Sequence, residues 1–258
     1  MNILREIVLN KRKEIHFLKK NRPISEIEKS QYFNKEVISL KKSLIEKSGI
    51  ISEFKRKSPS KPNINLDAEV ITITRGYELS NSSGISILTD SKYFGGSNED
   101  ITSVRSEINI PILRKDFILD EYQVIESKSL GADVILLIAA SLSKEDVKNL
   151  SRFAKSFDLQ VILEIHSEDE LSYLCDSIDV VGVNNRNLKK FETDINNSIN
   201  IAGMIPSSFL KISESGISTS KEIFRLKEHG YDGFLIGENF MKKEDPVFAC
   251  NDFIKKIC

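Results

Sequence analysis

GIISEFK (49–55) begins as a buried strand and closes on two charges, Glu53 and Lys55. Side chains two apart leave the same face of a pleat, so both charges point the same way. Ionised groups facing a core have to be paired, shifted in pKa, or used for chemistry. An ion pair at a strand edge is the plain alternative, since structural pairs also perturb titration. Recurrence weighs against it. Seven more apolar runs follow, several of them ending in a polar or charged group: GISILTD (84–90), IPILRKDF (110–117), DVILLIA (133–139), QVILEIH (160–166), VVGVNNR (180–186), FLKISES (209–215) and GFLIGE (233–238).

Segments of helical period follow each run, at 68–80, 98–106, 121–130, 144–157, 168–175, 195–202, 220–229 and from Pro246. Short apolar runs alternating with amphipathic helices are the pattern of βα units with a parallel sheet. Eight units predict an α/β fold of the closed (β/α)8 TIM barrel type, not an open doubly wound sheet. No Gly-x-Gly-x-x-Gly follows the first strand, which also argues against dinucleotide binding. Gly131, Gly203 and Gly230 stand where helix ends want a left-handed residue. Before the first strand, Ile3, Ile7, Val8, Ile15 and Leu18 suggest one amphipathic helix and Val37, Leu40, Leu44 and Ile45 another, with a break at Arg22-Pro23. The expectation is one domain, with 1–46 a helical extension and 47–258 the barrel. The extension covers either the bottom or side of the barrel or the mouth of its site, and the residues do not choose between these.

At 258 residues the chain has the length of a barrel. A formal net charge of −1 and no basic stripe with interleaved aromatics argue against a nucleic-acid partner. No apolar segment reaches the ~18 residues of a membrane span. Cys175, Cys250 and Cys258 form no C-x-x-C pair and leave an odd thiol, which fits a reducing, cytoplasmic setting. His16, His166 and His229 lack metal-ligand spacing, so no metal is expected.

Barrel enzymes assemble their sites at the C-terminal ends of the strands. Those ends carry Glu53 and Lys55, Lys115, Glu164 and His166, Asn184 and Arg186, Glu214 and Ser215, and Gly237. Opposite charges around one rim keep each other ionised, so a lysine can serve as acid and a glutamate as base. Ser213 to Ile217 ends the seventh strand, and Leu235 to Asn239 ends the eighth and can open a short helix. These are the places where barrels bind phosphate through backbone N–H groups. His166 reads as a structural, hydrogen-bonding residue near the rim.

SEFKRKSPS (52–60), LTDSKYFGGS (88–97), PILRKDFILDEYQ (111–123), LEIH (163–166), GVNNRNL (182–188), ISESGIS (212–218) and FLIGENFM (234–241) together resemble the indole-3-glycerol phosphate synthase family nearly end to end. The resemblance implies ring closure, decarboxylation and dehydration of 1-(2-carboxyphenylamino)-1-deoxyribulose 5-phosphate in tryptophan biosynthesis, without cofactor or metal. It makes Lys115 the principal general acid at the ketone oxygen. Lys55 contacts the carboxylate or reacting oxygen and is a candidate acid for the dehydration. Glu164 is the carboxylate that stabilises positive charge on the closing ring and moves protons, and Glu53 a second candidate base. Asn184 binds a substrate hydroxyl, and Arg186, Ser58 and Glu214 orient the anthranilate and sugar parts. Ser215, Gly216, Gly237 and Glu238 supply the phosphate loops, the last two by main chain, and Phe94, Phe117 and Leu136 pack the aromatic ring.

The chemistry asked of such a site fits those residue types. A doubly anionic substrate needs cations at two ends and an apolar wall where one carboxylate departs as carbon dioxide. Core packing is the plain alternative for the two phenylalanines, and a solvated lysine beside Arg114 and Asp116 is the plain alternative for Lys115. Two departures stand out: Lys61-Pro62 follows SPS where the family often has a nearby glycine, and 81–84 is more polar than expected. A phosphoribosylanthranilate isomerase is the nearest competing enzyme, but it has no use for two lysines and two glutamates. A barrel that only binds a phosphorylated ligand is the competing non-enzyme. A monomer or weak homo-oligomer is expected.

Overall fold

A computed structural model describes residues 3–187 and 192–258. Leu188, the last residue of the GVNNRNL motif, lies outside the described residues. Three helices precede the first strand: α1 (Ile3–Asn21), α2 (Ile24–Ile27) and α3 (Leu40–Glu46). The first half of the barrel is β1 (Ile50–Phe54), α4 (Val70–Leu79), β2 (Gly84–Leu88), α5 (Ser91–Phe94), α6 (Asn98–Arg105), β3 (Ile112–Lys115), α7 (Glu121–Leu130) and β4 (Val134–Ile138). The second half is α8 (Lys144–Lys155), β5 (Gln160–Ile165), β6 (Val180–Asn184), α9 (Asn196–Ala202), β7 (Leu210–Glu214), α10 (Ser220–Glu228), β8 (Gly233–Ile236), α11 (Glu238–Met241) and α12 (Pro246–Lys255). All eight strands are parallel and each pairs with the next. β1 also pairs with β8 through Ile51 opposite Leu235, so the sheet closes into the expected (β/α)8 barrel.

Local sequence explains where the helices start. Ser97, Asp120 and Asp245 each cap a helix with a side-chain oxygen, while Ser143 with Asp146 and Thr219 with Glu222 form reciprocal capping boxes. Gly131 and Gly230 take the left-handed conformation at φ 90° and 77°, as anticipated. Gly203 does not: its φ is −73°, because α9 runs into a right-handed turn at Met204 instead of reversing at the glycine. The segment expected as a helix over 168–175 is a 3₁₀ stretch, Glu168–Tyr173. There the Glu170 carboxylate accepts the His166 N–H at 2.6 Å, and the Ser172 hydroxyl donates to the Asp169 carbonyl at 2.7 Å, local bonds that compete with a regular helix.

Side chains alternate across every strand. Ile51, Leu113, Val134, Leu136, Ile162, Val180, Ile212 and Leu235 fill the barrel interior, and their neighbours Ile50, Ile112, Ile135, Val161 and Val181 pack outward against the helices. The extension serves both ends of this barrel. Leu40 and Leu44 of α3 join the interior cluster from below, touching the positions where Gly84 and Gly233 start their strands. Ile45 is 71 % exposed, since it lies a third of a turn from Leu44, and Val37 falls before the helix instead of inside it. The α1 helix goes to the opposite end, where Ile3, Leu4 and Ile7 reach the mouth.

A buried ion pair ties the sheet to its helices at the lower end. Arg105 donates to Asp133 at 2.7 Å and to the Ile110 carbonyl at 3.3 Å, while the Asp133 carboxylate accepts the N–H groups of Ile38 and Ile112, each at 2.8 Å. Arg105→Met is expected to lower the unfolding free energy by about 3–5 kcal/mol, because it strands a buried carboxylate. Urea melts read this directly. A loss under about 1 kcal/mol would rank the pair with exposed ones.

Candidate active site

The strand alternation that fills the interior also builds the site. One step beyond Ile51, Leu113, Ile162 and Ile212 on the inward face come Glu53, Lys115, Glu164 and Glu214, and two steps beyond Val180 comes Asn184. The inward layer therefore changes from aliphatic to charged at one height. Its closeness demands two glycines. A Cβ at Gly182 would stand 2.4 Å from Glu214 Oε1, and one at Gly237 would stand 2.4 Å from Glu53 Oε1. These glycines leave room for carboxylates.

The fifteen residues to which the resemblance gives a role all line one cavity of about 270 Å³ at this end of the barrel, and His166 stands outside it. Lys115 is its centre. Its ammonium donates to Glu164 Oε2 at 2.6 Å and to Glu214 Oε2 at 2.8 Å. Asn184 donates to the other oxygen of Glu164 at 3.0 Å, and Lys55 donates to Glu53 at 2.5 Å. Burial alone would depress the Lys115 ammonium, but the carboxylates of Glu164, Glu214 and Glu53 outweigh it and hold the proton on. Burial pushes Glu214 up, and the Glu164 charge beside it adds to the rise. Burial acts on Glu164 in the same direction, yet Lys115, His166 and Asn184 bring it below the usual carboxylate range. Two carboxylates on one ammonium titrate as a unit, one giving up its proton well before the other.

Around this polar layer stand the other expected residues. The Phe94 and Phe117 rings are 6.2 Å apart and inclined by 40°, forming with the buried Leu136 an apolar wall. Ser215 and Gly216 both have positive φ, 68° and 76°, so the chain after β7 makes a left-handed turn that lines the cavity. Gly237 precedes the single turn of α11. Ser58 is in the loop after β1, where it bridges to Lys61, and Arg186 lies within 3.8 Å of Glu238.

Several residues make contacts other than those the sequence implied. Glu214, expected only to orient substrate, is a direct partner of Lys115. The Glu238 carboxylate, expected to matter through its main chain, receives Lys61 Nζ at 2.5 Å and joins the loops after β1 and β8. His166 brings Nε2 to 3.4 Å from Glu164, and its imidazole has a raised pKa: burial opposes the charge, but Glu170 and Glu164 favour it more. Ile3 and Ile7, whose sequence signal was helical spacing, and Leu4, which the spacing did not single out, add an apolar edge to the mouth. Among the described residues, no group of three or more His, Cys, Asp or Glu side chains is placed to hold a metal ion.

The family model for indole-3-glycerol phosphate synthase matches residues 4–253. The chain belongs to the indole-3-glycerol phosphate synthase family. Membership agrees with individual relatives. An indole-3-glycerol phosphate synthase of Bacteroides thetaiotaomicron is 45 % identical over 257 residues, covering 99 % of each chain. One of Campylobacter fetus is 41 % identical over 257 residues, covering 97 % of this chain and 98 % of its own. Among solved structures, a 3-hexulose-6-phosphate synthase from Salmonella typhimurium superposes with a TM-score of 0.62 at 12 % identity, over 81 % of this chain and all of its own. The Pyrococcus furiosus tryptophan synthase complex contributes a chain with a TM-score of 0.58 at 12 % identity, covering 82 % of this chain and 97 % of its own. At such identity these two speak for the barrel alone. Within the described residues no helix is long and apolar enough to cross a membrane.

Proposed function

We propose that the chain converts 1-(2-carboxyphenylamino)-1-deoxyribulose 5-phosphate to indole-3-glycerol phosphate, releasing carbon dioxide and water. The observation that carries this is the Lys115 ammonium, held between Glu164 and Glu214 and facing a cavity walled by Phe94 and Phe117. Lys115 protonates the ketone oxygen as the aromatic carbon bearing the carboxylate attacks the carbonyl carbon. The new carbon–carbon bond leaves positive charge on the ring and its nitrogen, which the Glu164 carboxylate stabilises. Carbon dioxide then departs, its bonding electrons restoring the aromatic ring. Loss of the new hydroxyl as water completes the indole. It needs an acid at that oxygen, given to Lys55, and a base for the proton of the adjacent carbon, given to Glu53 or Glu164.

The apolar wall favours the second stage, because a carboxylate drawn out of water is poorly stabilised beside two phenyl rings. Asn184, Arg186 and Ser58 orient the substrate's hydroxyls and carboxylate, and the turns at Ser215-Gly216 and Gly237-Glu238 take the phosphate through main-chain N–H groups. We assign the reaction to the cytoplasm and to a monomer or weak homo-oligomer of one domain, needing no cofactor, metal or nucleic acid. Incubating purified protein with the anthranilate-derived ribulose phosphate should raise the fluorescence of indole-3-glycerol phosphate. A folded sample without turnover rejects the assignment.

A further inference from the structure

The buried stripe of α1 runs Ile7, Lys11, Ile15, and so contains a lysine where its period calls for an apolar residue. Lys11 is only 5 % exposed. Its ammonium lies 2.9 Å from Glu14, 2.9 Å from Asp90 and 3.0 Å from Asp116, and these carboxylates overcome the effect of burial to hold it charged. Two of the three belong to the strand ends that build the site.

Asp90 caps α5, its Oδ1 accepting the Tyr93 N–H at 2.8 Å, and α5 ends on Phe94. The Oδ2 of Asp90 faces the Lys11 ammonium at 2.9 Å. Asp116 sits between Lys115 and Phe117. Its Oδ1 accepts the Phe117 N–H at 2.8 Å and faces Lys11, while its Oδ2 accepts from the Thr89 hydroxyl at 2.7 Å and from Arg114 at 3.3 Å. One ammonium from the extension thus joins the segment carrying the acid and one aromatic wall to the segment carrying the other. Without it, two buried carboxylates converge on each other.

We propose that Lys11 is a positioning residue for the reaction: from the extension helix it fixes the end of β3, and hence Lys115, against α5 and Phe94. The inference rests on the function proposed above, since the place of Lys115 governs turnover only if Lys115 is the acid. Displacing a reacting group by about 1 Å can cost ~100-fold, so Lys11→Met should lower kcat about 30- to 100-fold. Lys11→Arg keeps the charge and should recover to within about fivefold of wild type. In a Lys115→Met background, Lys11→Met should add almost nothing, because groups acting as a unit are not additive. In 15N-lysine-labelled protein the Lys115 ammonium resonance should move in Lys11→Met and return in Lys11→Arg, whether or not substrate turns over.

Wild-type kcat in folded Lys11→Met overturns the proposal, as does an unmoved Lys115 resonance or a full multiplicative loss on top of Lys115→Met. If Lys11→Met does not fold, the same tests apply to Lys11→Met with Asp90→Asn, which keeps a capping side chain and removes one facing charge. Failure of both to fold also overturns it, since the ammonium is then a requirement of the fold. Absence of turnover by the wild type would instead defeat the proposed function, and the resonance would still decide the role of Lys11.

Discussion

Lys115→Met should lower kcat about 10³-fold, within the ~10² to 10⁴ that a positioned acid contributes. Methionine approximates the lysine stem in length but has no proton to give to the ketone oxygen. The substitution also removes the cation shared by Glu164 and Glu214, at 2.6 and 2.8 Å. Two buried carboxylates cannot both stay ionised without it, so one takes up a proton at neutral pH. That uptake limits the damage to the fold, and the variant should keep its far-ultraviolet circular dichroism while losing turnover. Rates near wild type in a folded sample would place the acid elsewhere.

The second large effect belongs to Glu164→Gln, expected to cost about 10²-fold in kcat through loss of the carboxylate that stabilises the closing ring. Its pH profile is the sharper reading. Lys115 is held charged by Glu164 first and Glu214 second, against the pull of burial. Removing Glu164 therefore lowers the pKa of Lys115, and the alkaline limb of kcat/KM moves to lower pH. Glu214 is raised by burial and also by the Glu164 charge, so losing that charge favours its ionised form and moves the acid limb down as well. Stopped fluorescence assays across pH would record both limbs. A profile unchanged in shape and position, at whatever rate, would remove Glu164 from the electrostatics of the acid.

How much of this was legible differs from residue to residue. Lys115 could be found because an apolar strand leads into it, and strand period with barrel topology tells which end of each strand matters. The phenylalanine wall followed from the resemblance, since Phe94 and Phe117 have no local signal separating them from core residues. That Lys115, Glu164 and Glu214 share one rim was legible, but not that one ammonium would pair with both carboxylates. Barrel topology brings the ends of β3, β5 and β7 to one mouth and places inward side chains of alternate strands in one layer, but the partner each charge takes there is set by the packed side chains. His166 near Glu164 was half legible: strand period puts both on one face, but the contact of Glu170 with His166 depends on the 3₁₀ stretch that follows.

The extension marks the boundary most sharply. Apolar spacing pointed to two amphipathic helices before the barrel and to eight βα units of a closed sheet, while the resemblance to the family rested on the seven motifs; all of these are carried by neighbouring residues. The destination of those helices was settled only by tertiary packing. Leu40 and Leu44 go beneath the barrel and Ile3, Leu4 and Ile7 go to its mouth. The reason is physical: a helical stripe specifies that a face will be buried, but what it meets depends on shape and charge contributed by residues a hundred positions away. Lys11 reaches Asp90 and Asp116 by that route, and no window of sequence around any of the three contains the contact.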